Sequence, residues 1–261
     1  MPASPDEESP RPVPDAGATE DLLAARARER NLILRALPLE EYARLRPQLE
    51  RCSVESLEVL VHAGGALEYV YFPESAIVSV TRRMGDGSLV ESGTVGCEGM
   101  AGLAVLFGEP WSPAVLQGQV PGLCKRMQFA ALRELLPELH VLRSILGRFT
   151  LSFLDQLGQA AACNAVHSVE QRCARWLLMA HDRVGSDEFE LTHQTLSQML
   201  GVRRASVTEV AGAFQAAGVI RYERGRVSIR QRAGLEASVC ECYEIVRSNT
   251  ERLLARGVGG A

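Results

Sequence analysis

Hydrophobic positions change their period along this chain, and the changes divide it. Over 21–49 they recur at helical spacing: Leu22 and Leu23, then Ile33, Leu34 and Leu37, then the segment PLEEYARLRPQL. These predict short helices. Over 52–130 they gather instead into short runs rich in β-branched and aromatic residues: LEVLV (57–61), YVYF (69–72), AIVSVT (76–81) and SLVES (88–92). Turn signals separate the runs at Ala63-Gly64-Gly65, Pro73-Glu74-Ser75 and Gly85-Asp86-Gly87. Asp-Gly between two strand-like runs predicts a hairpin, because glycine reaches positive φ without a Cβ clash. Strands at this spacing predict a small antiparallel roll or barrel.

From Leu135 to about Val166 the punctuation stops and a long helix is expected. Leu139, Leu142, Leu146, Phe149 and Phe153 alternate three- and four-residue steps, which puts them along one helical stripe. The stripe reads either as the core face of a monomer or as a seam against a second helix. Sustained over a helix ~40 Å long, it favours the seam, and hence a symmetric dimer with these five residues at its interface.

The next stretch carries the most specific signals. Ser168-Val169-Glu170-Gln171 is a capping box, so a new helix is expected from Ser168 to about Asp182. Thr192 suits the N-cap of a helix carrying Leu196 and Leu200 and ending at Gly201. A second helix beginning near Arg203 turns Val207, Val210 and Phe214 inward. Helix, glycine turn, helix is the helix-turn-helix pattern. Val219–Tyr222 and Arg226–Ile229, flanking Glu223-Arg224-Gly225, read as a β-hairpin wing.

Composition narrows the class. The 261 residues are 46% hydrophobic and 23% charged, an ordinary globular balance. No apolar run approaches the roughly 18 residues of a membrane span. The first 20 residues hold five of the twelve prolines and few large apolar groups, so a disordered arm is expected there, neither signal nor transit peptide. Seven cysteines without a framework spacing fit a reducing, cytoplasmic setting. A net charge of −4 gives no global nucleic-acid signature. Locally the balance reverses, with ten arginines against seven acids over 168–232, and most of the acids fall between 182 and 190.

VYFPESAIVSV (70–80), GCEGMAGL (96–103) and the motif at 191–229 together resemble the Crp/Fnr family of bacterial transcription regulators, over about residues 30–230. The resemblance implies an α+β fold: an N-terminal antiparallel β-roll of the cyclic-nucleotide-binding type, a long dimerisation helix and a C-terminal winged helix-turn-helix. Boundaries follow at 1–20 (arm), 21–136 (sensor roll with flanking helices), 137–167 (dimerisation helix), 168–232 (DNA-binding domain) and 233–261 (a C-terminal helix over 233–254, and tail). It implies a homodimer on a palindromic double-stranded DNA operator, with RNA polymerase a further partner and no membrane. The DNA-facing set is Thr192, Gln194, Arg203, Arg204, Ser206, Thr208, Arg224 and Arg226. Arg204 suits a bidentate contact to guanine, and Arg203, Arg224 and Arg226 suit phosphates.

The departures bear on the effector. Family members that hold cyclic AMP use a Gly-Glu pair and an Arg-Ser pair in the roll. The first pair falls at Gly99-Met100, which lacks the carboxylate, and no arginine occurs between Arg83 and Arg126. The family's Thr-Ser pair on the long helix falls at Leu157-Gly158. Gly99, Met100, Ser112 and Leu157 are the effector-pocket candidates, and cyclic AMP is not expected there, since its anchors are missing. Residues 1–51 hold no cysteine for an iron–sulfur cluster. Cys240-Glu241-Cys242 offers two thiolates, too few for a structural zinc site without further ligands. Cys97, Cys124, Cys163 and Cys173 read as core residues. The five histidines show no paired-ligand spacing. No metal, cofactor or catalytic constellation is expected, and an enzyme is disfavoured. The alternative is a sensor whose degenerate helix-turn-helix binds a protein.

Overall fold

The computed structural model describes residues 16–87 and 89–255. Of the proline-rich arm, residues 1–15 lie outside the described residues. Residues 16–20 already belong to helix α1 (Ala16–Ala27), which corrects the arm's expected boundary. Alanine and glutamate after the last proline favour helix there.

Helices α2 (Leu32–Ala36) and α3 (Leu39–Leu45) follow. Asn31 caps α2: its Oδ1 accepts from the Ile33 and Leu34 amides at 3.2 and 3.3 Å. Its Nδ2 donates to the Pro73 and Gly99 carbonyls at 3.0 and 2.8 Å. A fully buried amide with all four contacts filled ties this helix to the strands.

Seven antiparallel strands form the roll: β1 (Glu50–Val54), β2 (Val59–Val61), β3 (Tyr69–Pro73), β4 (Ile77–Arg83), β5 (Leu89–Val95), β6 (Val115–Val120) and β7 (Gly122–Gln128). They pair as two sheets, β1-β7-β3 and β2-β6-β4-β5. Val54, Val70, Phe72, Val78, Leu116 and Met127 bury the space around them. The expected hairpin joins β4 to β5, with Gly87 at φ 84. The first expected strand shrinks to Val59–Val61, because Leu57 turns at φ 64. Lys125, the chain's only lysine, sits half-buried on β7 between Glu29 and Glu74, with the Glu74 oxygen at 3.6 Å.

Helix α4 (Phe129–Leu135) and a turn through Pro137 lead into the long helix α5 (His140–Val166), 27 residues. Here one expectation is overturned. Leu139, Leu142, Leu146 and Phe149 are fully buried in the chain's own core, and Phe153 packs at its edge. Their stripe faces the roll, so these five residues are not available as a seam: large apolar groups are taken up by the nearest sheet. The face left in solvent is another stripe at the same spacing, Gly147, Leu151, Leu154, Gly158, Ala161 and Ala165. Leu151 and Leu154 are 56% and 58% exposed. A Cβ added at Gly147 or Gly158 would meet nothing within 4 Å, so the chain's own packing does not require those glycines.

Beyond His167, helix α6 (Val169–Val184) begins on the expected capping box and ends at Gly185. Then come β8 (Glu188–Glu190), α7 (His193–Leu200), α8 (Arg204–Ala216), β9 (Ile220–Glu223) and β10 (Arg226–Ile229), with strand order β8-β10-β9. Their core centres on Trp176, Leu196, Val207, Phe214 and Val227 and extends to Ile77 and Val120 of the roll. A buried Arg183–Glu98 ion pair at 2.7 Å joins α6 to the same roll. The C-terminal helix expected over 233–254 is two, α9 (Arg232–Ser238) and α10 (Cys242–Ala255), parted by extended backbone at Val239. Helix α10 runs antiparallel along α5: Thr250 meets Ser152 at 2.7 Å, Asn249 donates to Asp155 at 2.9 Å, and Cys242 accepts from Gln159 at 3.0 Å.

Candidate nucleic-acid interface and ligand cavity

Thr192 caps α7, its hydroxyl accepting from the Thr195 amide at 3.0 Å. Gly201, at φ 60, reverses the chain into α8, whose N-cap is Arg203. Thr192, Gln194, Arg203, Arg204, Thr208, Arg224 and Arg226 are all exposed, and Ser206 is half-buried. The Thr208 hydroxyl donates to the Arg204 carbonyl at 3.0 Å.

The wing tip is a two-residue turn. Glu223 pairs with Arg226, leaving Arg224 at φ 50 and Gly225 at φ 78, both left-handed as a type I′ turn requires. The Gly225 carbonyl accepts from the Leu191 amide at 2.8 Å, so the tip sits beside the start of α7.

One residue that sequence reading passed over joins these parts. His193 lies 4.3 Å from the Tyr222 ring by centroids, and its Nδ1 stands 3.1 Å from the Thr208 hydroxyl. It touches α8 and the wing at once. Burial, and then the Arg204 charge, push its pKa below the ordinary histidine value. The only signal in sequence was its place directly after the N-cap.

Charge is distributed unevenly. Arg221 is paired with Glu223 at 2.8 Å, and Arg226 with Glu190 at 3.6 Å. Among the described residues Arg203, Arg204 and Arg224 have no carboxylate within 4 Å. Three unneutralised guanidiniums at the start of α8 and on the wing tip make a local cationic surface on an acidic protein.

The roll holds a cavity of about 370 Å³ against α5. Met100, Ser112 and Leu157 line it, with Val80, Val95, Leu116 and Phe153. Gly99 does not: a Cβ there would stand 2.1 Å from the Phe149 ring, so this glycine admits Phe149 to the core. The wall also includes Arg82 on β4, ahead of the segment where the family's arginine is expected, and its guanidinium donates to the Pro113 carbonyl.

The cysteines are arranged otherwise than expected. Cys240 and Cys242 do not stand alone, because Cys163 and His167, at the end of α5, lie against them.

Residues 171–238 match the family model described as a Crp-like helix-turn-helix domain. No curated protein matches the sequence. Solved structures of similar shape include FixK2 from Bradyrhizobium japonicum, 15% identical, with a TM-score of 0.62 over 74% of this chain and 98% of that one. TTHB099, a transcriptional regulator of the CRP family from Thermus thermophilus, is 19% identical, with a TM-score of 0.59 over 72% and 95%. The c-di-GMP responsive regulator CLP of Xanthomonas campestris is 16% identical, with a TM-score of 0.57 over 74% of this chain and 99% of that one. At such identities the likeness is one of fold. No described helix is long and apolar enough to cross a membrane.

Proposed function

We propose that this chain is a member of the Crp/Fnr family, supported by its Crp-like helix-turn-helix over residues 171–238 and by its fold, and that it is a sequence-specific DNA-binding transcription regulator. It acts as a homodimer on an inverted-repeat operator, with RNA polymerase the further partner that such a role implies. The observation that carries this is the trio of exposed, unpaired arginines Arg203, Arg204 and Arg224 around α8 and the wing. In this reading α8 enters the major groove. Arg204 reads a guanine edge, with Ser206 and Thr208 on nearby bases or phosphates, Thr192 and Gln194 at the groove's margin, and Arg203, Arg224 and Arg226 on phosphates.

Dimerisation uses the exposed stripe of α5. Gly147, Gly158, Ala161 and Ala165 allow two helices to approach closely, and Leu151 and Leu154 supply the buried contacts. The cavity takes an apolar effector with at most one anionic end, at Arg82, since Met100 and Leu157 occupy the positions where a cyclic nucleotide would need polar anchors.

The test is a salt-dependent mobility shift on operators selected from random DNA. Arg204→Ala should cost about 1–3 kcal/mol per half-site and relax one base position. Arg224→Ala should weaken all sequences alike and reduce the salt slope. Loss of neither affinity nor selectivity in the pair would reject the DNA reading in favour of a protein-binding surface.

A further inference from the structure

Four side chains with metal-binding chemistry, from two segments far apart in sequence, meet at the joint between α5 and α6. Cys163 lies in the last turn of α5 and His167 is its C-cap, whose amide donates to the Cys163 carbonyl at 3.0 Å. Cys240 and Cys242 come from the break between α9 and α10. One donor atom from each lies within 4.8 Å of all the others. Cys163 Sγ is 3.6 Å from Cys240 Sγ, and Cys242 Sγ is 3.6 Å from His167 Nδ1. A tetrahedral zinc ion, with Zn–S about 2.3 Å and Zn–N about 2.0–2.1 Å, has edges of about 3.8 Å between sulfurs and about 3.6 Å from sulfur to nitrogen. Two of the six donor separations, at 3.6 Å each, match those edges, and the other four lie within 4.8 Å.

The surroundings fit as well. The other ring nitrogen of His167 faces the Glu241 carboxylate at 3.3 Å, the arrangement that orients a metal-bound histidine. Gln159 donates to Cys242 Sγ at 3.0 Å, a contact that steadies a thiolate. Three thiolates, one neutral histidine and one divalent ion leave a charge of minus one. Arg172, buried nearby on α6, has no carboxylate partner among the described residues, and its Nε has no hydrogen-bond partner. All three cysteines are almost wholly shielded from solvent, which favours retention of an ion over exchange.

The geometry points to a structural zinc site, with Cys163, His167, Cys240 and Cys242 as ligands, that fastens α10 to α5 at the joint leading to the helix-turn-helix. Binding displaces three thiol protons to solvent and changes no oxidation state. A compact set of donors within 4.8 Å encloses one ion, whereas a multi-iron cluster needs donors spread wider.

Full-length protein purified from zinc-supplemented culture should carry about one zinc per chain by plasma mass spectrometry. Cys163→Ser and Cys242→Ser should lose it, and Cys52→Ser, in the roll, should keep it. Chelator-stripped wild-type chain titrated with Co²⁺ should develop the visible bands and thiolate charge transfer of a tetrahedral site, which needs no variant to fold. Stripping should also speed amide exchange over 239–255 while leaving the roll unchanged. A metal-free chain that takes up no Co²⁺ would overturn the site. So would a Cys163–Cys240 disulfide found by non-reducing peptide mapping, or iron with acid-labile sulfide in place of zinc. Unchanged exchange over 239–255 after stripping would overturn the fastening role.

Discussion

Replacing Leu151 and Leu154 together by alanine separates the two faces of the long helix. Each leucine is a little over half exposed in the single chain. Full burial of a leucine is worth about 1.5–3 kcal/mol, so covering the exposed half contributes about 1 kcal/mol. In the proposed dimer, two leucines from each protomer make about 4 kcal/mol across the seam, or about a thousandfold in the dissociation constant. The fold of each protomer should hardly change, since these side chains touch little of their own chain. Phe149→Ala is the complementary change. It empties a fully buried site between α5 and the roll, at a cost of about 3–5 kcal/mol in unfolding free energy. Sedimentation equilibrium reads the first quantity and denaturant unfolding the second. A Leu151→Ala/Leu154→Ala variant that stays dimeric at wild-type strength, with Phe149→Ala dissociating into a still-folded protein, would refute this assignment of faces.

Two further outcomes follow from the roll. Burial raises the Glu91 carboxyl to about 7, against the opposing Ser79 hydrogen bond and the charges of Arg183 and Arg175. Because this pKa lies above the unfolded value of 4.5, the group's contribution to stability is full below about pH 4.5 and is lost as pH rises through about 7. Thermal unfolding across that window should therefore fall less steeply in Glu91→Gln than in wild type, and equal slopes would refute it. Calorimetry should find no micromolar binding of cyclic AMP, because Met100 and Leu157 leave its phosphate and ribose without partners; a micromolar constant would refute the apolar reading of the cavity.

What sequence revealed and what it hid divide along the range of the interactions. The capping box at Ser168, the N-cap at Thr192, the reversal at Gly201 and the wing turn are fixed by a few adjacent residues, and all four stand as read. The orientation of α5 was not legible. Both of its stripes alternate three and four, and periodicity marks a face without saying whether a sheet or another helix covers it. The make-up of each stripe is the physical discriminator: the inward one is large throughout, with Leu142, Phe149 and Phe153 filling the roll, while the outward one sets Leu151 and Leu154 among glycines and alanines. Nor could Cys-x-Cys announce its remaining ligands, which lie 77 residues away for Cys163 and 75 for His167 and meet it only after the last helix folds back. Arg82 was hidden for another reason: the bulge between Val80 and Thr81 sets the strand's local register, and spacing alone does not show it.

The backbone at Arg224 sets two kinds of fitness against each other. A left-handed conformation costs a side-chain-bearing residue roughly 1–2 kcal/mol relative to glycine. The wing tip carries that cost at the one position where its guanidinium projects unpaired from the turn. Glycine there would give a sturdier protein that, in the proposed DNA complex, grips less. Selection for thermal endurance alone would favour glycine at the tip, so in that complex the arginine trades fold stability for a phosphate contact.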